Sequence, residues 1–232
     1  MIWMDRLSLF SAMDFIAVSM LCLLWLGIGF FIENPPKMHP SLSFLMVKYR
    51  KEWMIQFVHR NPRMFDAQML GHLRQGTAFF ASTTMIAIGG GLALIGNTER
   101  LAGVASDLTL VSAPAFVIEV KLVLMVLFVA NSFLKFVWAH RLFGYCSVVM
   151  SAVPNDPEDA AAIPRAMQAS EINITAARSF NRAMRSVYFG LASAAWLFGA
   201  SALIAASLLT VFVLWRREFA SQSRNALFQD PL

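Results

Sequence analysis

Long apolar runs separated by charged segments dominate the pattern of the chain. A transmembrane helix needs about 20 mostly apolar residues to cross the hydrocarbon of a bilayer, and four runs meet that length. The pattern predicts spans at about residues 14–32, 77–96, 114–138 and 187–215. We therefore predict an all-α fold, a four-helix transmembrane bundle with amphipathic cytoplasmic helices, as a single integral membrane domain over residues 1–232.

The third run differs from the others because polar side chains interrupt it. Glu119 and Lys121 precede thirteen uncharged residues that end at Lys135, and Asn131 lies one turn before Lys135. The two lysines are nearly four helical turns apart and fall on one face. A charge inside a bilayer costs about 2.5–3.5 kcal/mol on insertion scales and usually faces a cavity or a partner. These four residues form a candidate intramembrane polar path; the alternative is two snorkelling lysines with an internal Glu119 ion pair.

Composition and charge agree with a membrane location. The chain is 58% hydrophobic and 14% charged, whereas soluble domains are about one quarter charged. The two long loops, at about residues 33–76 and 139–186, carry twelve Lys or Arg residues, and the opposite side carries five. The positive-inside rule then predicts a multi-pass protein of a bacterial-type cell inner membrane, with the loops in the cytoplasm and both termini outside.

A segment of the first loop has the pattern of an amphipathic helix. Between residues 42 and 60 an apolar stripe lies opposite basic positions; its members are Leu42, Leu45, Met46, Tyr49, Trp53 and Phe57. A basic amphipathic helix beside a span is typical of docking onto anionic lipid. The same stripe could instead pack on the cytoplasmic face of the protein itself, and the sequence leaves both interpretations open.

Arginines recur at helical spacing where the loops meet the membrane. Arg178, Arg182 and Arg185 share one helical face, and Arg60, Arg63 and Asp66 recur three residues apart in the first loop. Cations gathered in one layer need an acidic partner or a bound anion. We expect Asp66 to pair with one arginine of residues 178–185. The remaining guanidinium groups then face an anion, most simply a lipid phosphate. A purely structural ion-pair network is the alternative.

No motif for catalysis, for a metal or for a cofactor is present in the sequence. The four histidines and two cysteines lack the spacing of metal ligands. Gly89-Gly90-Gly91 lacks the Lys-Ser/Thr that follows a phosphate-binding loop and lies within a predicted span. We therefore expect no enzyme activity, no cofactor, no metal and no nucleic-acid partner.

Several different short blocks along the chain combine aromatic, basic and small residues. They are Arg50, Trp53-Met54, Arg60, Arg63, Asp66, Phe79-Phe80-Ala81-Ser82-Thr83, Glu119, Lys121, residues 133–138, 141–145 and 180–185, Tyr188-Phe189 and Trp196. Together they resemble the family of bacterial and plant membrane proteins called domain of unknown function 599, over about residues 10–215. The resemblance implies a multi-pass membrane protein, and it implies no activity because the activity of the family is unassigned.

Two functions are compatible with these observations. The first is a non-catalytic accessory or scaffold subunit of a membrane assembly, or a lipid-interacting protein. Its partners are membrane lipids, anionic ones included, and either further copies of the chain or a larger complex. The alternative is an oligomeric channel or transporter-like protein with a basic, anion-accepting path along the third span.

Overall fold

The structure, a computed structural model, describes residues 6–99, Gly103 and 114–228. The described residues form helices and no strand, which confirms the all-α prediction. The α-helices are α1 (Ala12–Glu33), α2 (Leu42–His59), α3 (Met64–Ile95), α4 (Ala115–Ser151), α5 (Ala162–Ala194), α6 (Ala200–Phe219) and α7 (Gln222–Phe228).

Four helical segments are long and apolar enough to cross a membrane. They are α1, α3, α4 and the stretch Ala200–Phe228, which contains α6 and α7. Large apolar side chains on these helices face outward, since Leu23 is 71%, Ile86 75% and Leu209 62% exposed. An apolar surface of this extent is unfavourable in water, so lipid or another protein must cover it. The four candidate spans indicate a multi-pass membrane protein.

Two of these helices extend well beyond the apolar runs that predicted them. α3 has 32 residues and begins at Met64, before the predicted span at 77–96. α4 has 37 residues and ends at Ser151, beyond the predicted span at 114–138. At 1.5 Å per residue each is longer than the roughly 30 Å of bilayer hydrocarbon, so part of each helix must lie outside it.

The predicted fourth span, 187–215, is two helices and not one. α5 ends at Ala194, and a short 3₁₀ turn (Ala195–Phe198) and Gly199 separate it from α6. Gly199 has φ 116° and ψ 167°, a region of backbone space that is essentially open to glycine alone. The uncharged run concealed this break, because a single glycine inside a helix costs only about 1 kcal/mol.

The chain forms two compact units. The first unit comprises Met1–Phe31, Thr84–Ser132 and Met184–Arg216, and the second comprises Ile32–Thr83, Phe133–Ala183 and Arg217–Leu232. α5 begins in the second unit and ends in the first, whereas α6 begins in the first and ends in the second. Fourteen of the nineteen Lys and Arg residues belong to the second unit, so the basic charge of the chain is concentrated there.

The first unit packs through small residues and aromatic contacts. Trp25 and Phe128 meet edge to face, with their ring centroids 5.1 Å apart. A Cβ added at Gly190 would lie 3.3 Å from the Cβ of Phe128, so the absence of a side chain lets α5 approach α4 closely. Beside this contact, the Asn131 side chain donates to the Ser186 hydroxyl over 2.9 Å.

The second unit has its own hydrophobic core, built from α2, α3, α4 and α5. α2 contributes Met54, Phe57 and Val58, and α5 contributes a run of alanines; these pack with Leu70, Leu142, Phe143, Cys146, Met150 and Val153. Phe57 is 4% exposed, and Trp53 packs against the same core. Of the two interpretations of the α2 stripe, the structure therefore favours packing on the protein itself for Trp53 and Phe57.

The break at Gly199 generates a stability prediction. We expect Gly199→Ala to lower the free energy of unfolding by about 1–3 kcal/mol, because a Cβ is strained at this backbone conformation. The cost is one of backbone conformation alone, since no atom of the described residues other than Gly199 and its chain neighbours lies within 4 Å of the added Cβ. The measurement is an unfolding titration in mixed detergent micelles.

Gly27 provides the matched control. It lies within α1, and an added Cβ would meet no described atom within 4 Å apart from its chain neighbours and the backbone of α1 itself. Gly27→Ala should be neutral or stabilise the protein by up to about 1 kcal/mol, since alanine is the better helix former. Equal effects of the two substitutions would contradict a specific role of the Gly199 conformation.

Candidate functional site

Asp66 is the buried anchor between the end of α2 and the start of α3. Its side chain is fully buried, and its Oδ1 accepts hydrogen bonds from the Trp53 indole N–H, over 2.7 Å, and from Arg60. Its Oδ2 has no hydrogen-bond partner within the described part of the chain. The predicted pairing of Asp66 with an arginine of residues 178–185 is therefore wrong. Arg60, six residues before Asp66 in the sequence, forms the ion pair with it instead.

Arg63 is held by backbone carbonyls. It donates to the carbonyl oxygens of Val153 (2.9 Å), Pro154 (2.7 Å) and Val58 (3.1 Å). Its guanidinium also lies 4.5 Å from the centroid of the Phe57 ring. These acceptors hold the end of α2 to the segment that follows α4, so Arg63 serves as a structural tie.

Two arginines of α5 contact α1. Arg182 forms a two-pronged pair with Glu33, the last residue of α1, and its Nε donates over 2.8 Å. Arg185 is only 7% exposed, and its Nε lies 3.6 Å from the Cβ position of Gly29. The six residues predicted as one cluster, Arg60, Arg63, Asp66, Arg178, Arg182 and Arg185, are thus divided among separate contacts.

Arg178 has a different environment, because it lines a pocket. The pocket, called here the α2–α5 pocket, lies within the second unit and has a volume of about 270 Å³. Its lining residues come from α2, α5 and the end of α6; they are Leu42, Ser43, Met46, Val47, Arg50, Ile174, Ala177, Arg178, Asn181 and Glu218. Two guanidinium groups and one carboxylate leave the lining with one net positive charge.

Glu218 is part of the pocket lining and caps the start of α2. Its two carboxylate oxygens accept from the backbone N–H of Ser43, over 3.0 Å, and from the Ser43 hydroxyl, over 2.8 Å. Asn181 donates to the same hydroxyl over 3.2 Å. A carboxylate at a helix N-terminus satisfies unpaired N–H groups and complements the helix dipole. Glu218 is therefore committed to α2.

Arg50 is a pocket residue that the sequence analysis did not assign to a site. It donates to the side-chain oxygen of Asn173, which in turn donates to the Cys146 sulfur over 3.8 Å. Burial lowers the pKa of Arg50 from its ordinary value, yet a guanidinium stays protonated in proteins. Arg50 is thus a half-buried permanent charge whose partner is a neutral amide. Arg50 is seven residues from Ser43, a spacing that places both on one face of α2. The sequence did not reveal which helix that face contacts.

The polar residues of the third span have separate local surroundings. The Lys121 ammonium lies 5.6 Å from the centroid of the Trp196 ring, and Trp196 donates to Asp14 over 2.7 Å. Glu119 makes no ion pair with any residue that the structure describes. Lys121 and Asn131 belong to the first unit and Lys135 to the second. Lys121 and Asn131 thus have partners near them in the first unit, and the path along Glu119, Lys121, Asn131 and Lys135 stays a prediction.

The start of α2 lies at the end of the first candidate span. The Ser41 hydroxyl donates to the carbonyl of Ile32, in the last turn of α1, over 2.7 Å. Next to this tie, Met38 is 81% and Phe44 53% exposed. Exposed apolar and basic side chains continue along one side of α2, and we call this surface the α2 outer face: Lys37, Met38, Phe44, Lys48 and Ile55.

Comparison with known proteins agrees with the resemblance in the sequence. Residues 16–223 match the model of a family described as protein of unknown function, DUF599. No curated protein and no solved structure matches the chain. The match covers nearly all of both units and confirms the family without assigning a role to any of the residues above.

The Arg60–Asp66 pair generates a second prediction. Arg60→Met should lower the free energy of unfolding by about 3–5 kcal/mol, because it leaves a fully buried carboxylate without its cation. Asp66→Asn should cost less, since the side chain of Arg60 is 37% exposed and can be hydrated. The double variant should recover much of the loss. Unfolding titrations in mixed micelles provide the double-mutant cycle.

The pair of Lys51 and Glu171 is the control for this cycle. Both side chains are well exposed, at 44% and 60%, although their charged atoms are 2.9 Å apart. Lys51→Gln should change the free energy of unfolding by less than about 1 kcal/mol. Additive effects of the Arg60 and Asp66 substitutions would contradict the buried pair.

Proposed function

The chain belongs to the DUF599 family, whose description assigns no activity, and we propose from its own contacts that it is a non-catalytic, lipid-interacting accessory protein of the inner membrane. In this proposal the candidate spans lie in the bilayer, and the α2 outer face contacts anionic lipid headgroups on the cytoplasmic side. Further copies of the chain or a larger membrane complex are the expected protein partners.

The observation that carries this proposal is the tie between α1 and the α2 outer face. Ser41 fixes the start of α2 to the carbonyl of Ile32, where the first candidate span ends. Met38 and Phe44 are consequently exposed at the depth where an apolar helix leaves the hydrocarbon. Apolar and aromatic side chains are favoured in that interfacial zone, and neighbouring lysines attract anionic headgroups.

The charges of the second unit support the same orientation. A Lys or Arg near an anionic surface contributes about 1 kcal/mol of attraction, which corresponds to about fivefold in affinity. Lys37 and Lys48 are both exposed on the α2 outer face, so their contributions are available to lipid. Most of the arginines discussed above instead hold helices together, which supports an accessory role over a catalytic one.

The C-terminal helix belongs with the basic loops in this proposal. Arg224 on α7 donates to the carbonyl of Pro40 over 2.9 Å, within the second unit. If the second unit is cytoplasmic, α7 is cytoplasmic as well, and the N-terminal end of α1 is outside. This differs from the sequence-based expectation that both termini are outside. In the proposal the apolar end of α5 enters the bilayer, the chain turns at Gly199, and α6 leads back to the cytoplasmic side, so the two helices together do not move the chain across.

Cysteine labelling in intact cells measures this orientation. Ala160→Cys and Ser223→Cys, both at exposed positions, should resist a membrane-impermeant maleimide, whereas Ser8→Cys should be labelled. All three should react after the membrane is permeabilised. The parent chain, with Cys22 and Cys146, gives the background. Labelling of Ser223→Cys together with Ser8→Cys would instead support two external termini.

Spin labelling tests the lipid contact itself. A nitroxide at Phe44→Cys, in liposomes containing phosphatidylglycerol, should be relaxed efficiently by oxygen and poorly by a water-soluble nickel chelate. The reason is that oxygen concentrates in the bilayer and the chelate in water. A nitroxide at Ala160→Cys, in an exposed turn, is the control and should behave in the opposite way. Equal exposure of both labels to the chelate would rule out the proposed interfacial position.

A further inference from the structure

We propose that the α2–α5 pocket binds the phosphate of a phosphodiester, with Arg178 and Arg50 as its cationic contacts. The inference deepens the proposed function, on which it rests for the lipid as the source of that phosphate. The residues of the pocket determine the chemistry of the ligand. The proposed position of α2 at the lipid surface determines the source of that ligand.

Arg178 is the first argument, because it is exposed at the pocket and has no acceptor among the residues that the structure describes. Arg60 pairs with Asp66, Arg63 with carbonyls and Arg182 with Glu33. Within the described part of the chain, Arg178 has neither a hydrogen bond nor an ion pair. It lies on the same α5 face as Asn181, and both line the pocket. An arginine that faces a cavity is a ready donor to an oxyanion.

Arg50 is the second argument, because it adds a permanent charge at the same cavity. Its described partner is the neutral oxygen of Asn173, so no carboxylate compensates its charge. A half-buried cation without a counter-ion loses hydration and gains little in return. An anion in the pocket would supply the missing counter-charge. Two planar guanidinium forks suit a phosphate, which accepts paired N–H donors.

Glu218 is the third argument, because it limits the charge of the ligand. Among the described residues that line the pocket it is the one carboxylate, and it accepts from Ser43 while remaining part of the lining. The net charge of the lining matches the single negative charge of a phosphodiester. A phosphate monoester, which carries up to two charges near neutral pH, would experience more repulsion from Glu218. The pocket therefore favours a diester, as in a phospholipid headgroup.

The position of the pocket is the fourth argument, because its residues adjoin the ends of two candidate spans. Asn181 precedes Arg182, which pairs with Glu33 at the end of α1. Glu218 lies near the end of α6, after the apolar part of that helix. At about 270 Å³ the cavity suits a headgroup and not an entire lipid, so the acyl chains would remain outside it.

Calorimetric titration of the full chain in a non-ionic detergent tests the proposal. The probes are short-chain phosphatidylglycerol, glycerophosphoglycerol as a free diester, and glycerol 3-phosphate as a monoester. We expect the lipid diester to bind. Arg178→Gln should weaken that binding about tenfold or more, because a charge-assisted hydrogen bond is lost. Arg178→Lys should be intermediate, since it keeps the charge and loses the planar fork.

Arg165 is the matched control for this experiment. It is exposed on the same helix, and it donates to the carbonyl of Ala152 away from the pocket. Arg165→Gln should leave the affinity unchanged. Glu218→Gln should raise the affinity for the monoester more than for the diester, because it removes the repulsion. If Arg178→Gln and Arg165→Gln lower the affinity equally, the binding depends on the overall positive charge and the proposed pocket is wrong. The proposed pocket is also wrong if no probe binds.

The two proposals fail in different ways. If the free diester binds as tightly as the lipid, with the same dependence on Arg178, the pocket stands and its phosphate source is a soluble diester. If Phe44 is also in water in the spin-label experiment, the lipid-interacting function fails while the pocket stands. If Phe44 lies in lipid and Arg178→Gln has no effect, the membrane contact stands and the pocket fails.

Discussion

The arginine side chain stays protonated in a protein, so each arginine needs acceptors or water. This requirement determines how the helices of the second unit are joined. A buried carboxylate or lysine can become neutral, whereas a guanidinium must find acceptors or water. The unit meets this requirement with a carboxylate for Arg60, backbone carbonyls for Arg63 and the end of α1 for Arg182. These solutions connect α2 to α3, α2 to the end of α4, and α5 to α1. The arginines thus join pairs of helices through ion pairs and hydrogen bonds.

The sequence was sufficient for the features that depend on local pattern. Long uncharged runs predicted α1 and the apolar parts of α3 and α4, because helix length in a bilayer follows from hydrophobicity alone. The arginine spacing correctly indicated that Arg178 and Arg182 lie on one helix. Neither inference required knowledge of which helices are neighbours.

The sequence could not show in the same way which side chains and helices contact one another. Asp66 was equally available to every nearby arginine in the sequence, and only the turn between α2 and α3 brings Arg60 within reach. Arg50 lies in a helix whose apolar stripe is its clearest sequence feature, yet the role of Arg50 depends on α5, which also lines the pocket. The break at Gly199 was concealed because hydrophobicity reports the environment of a segment and not its direction. Contact between distant helices decides the environment of Arg50, whereas local backbone conformation decides the Arg60–Asp66 pair and the break at Gly199.

The two sides of α2 now have distinct roles that follow from one helical period. Met54 and Phe57 fill the core of the second unit, whereas Phe44 and Ile55 remain exposed on the α2 outer face. Ser43 and Arg50 fall on the same helical side as Met54 and Phe57, and they line the α2–α5 pocket. A ligand in that pocket would therefore contact α2, α5 and the end of α6 together. Because Glu218 caps α2, binding there would also add rigidity to the joint between the interfacial helix and the last span, so occupancy of the pocket and the position of α2 at the membrane are physically coupled.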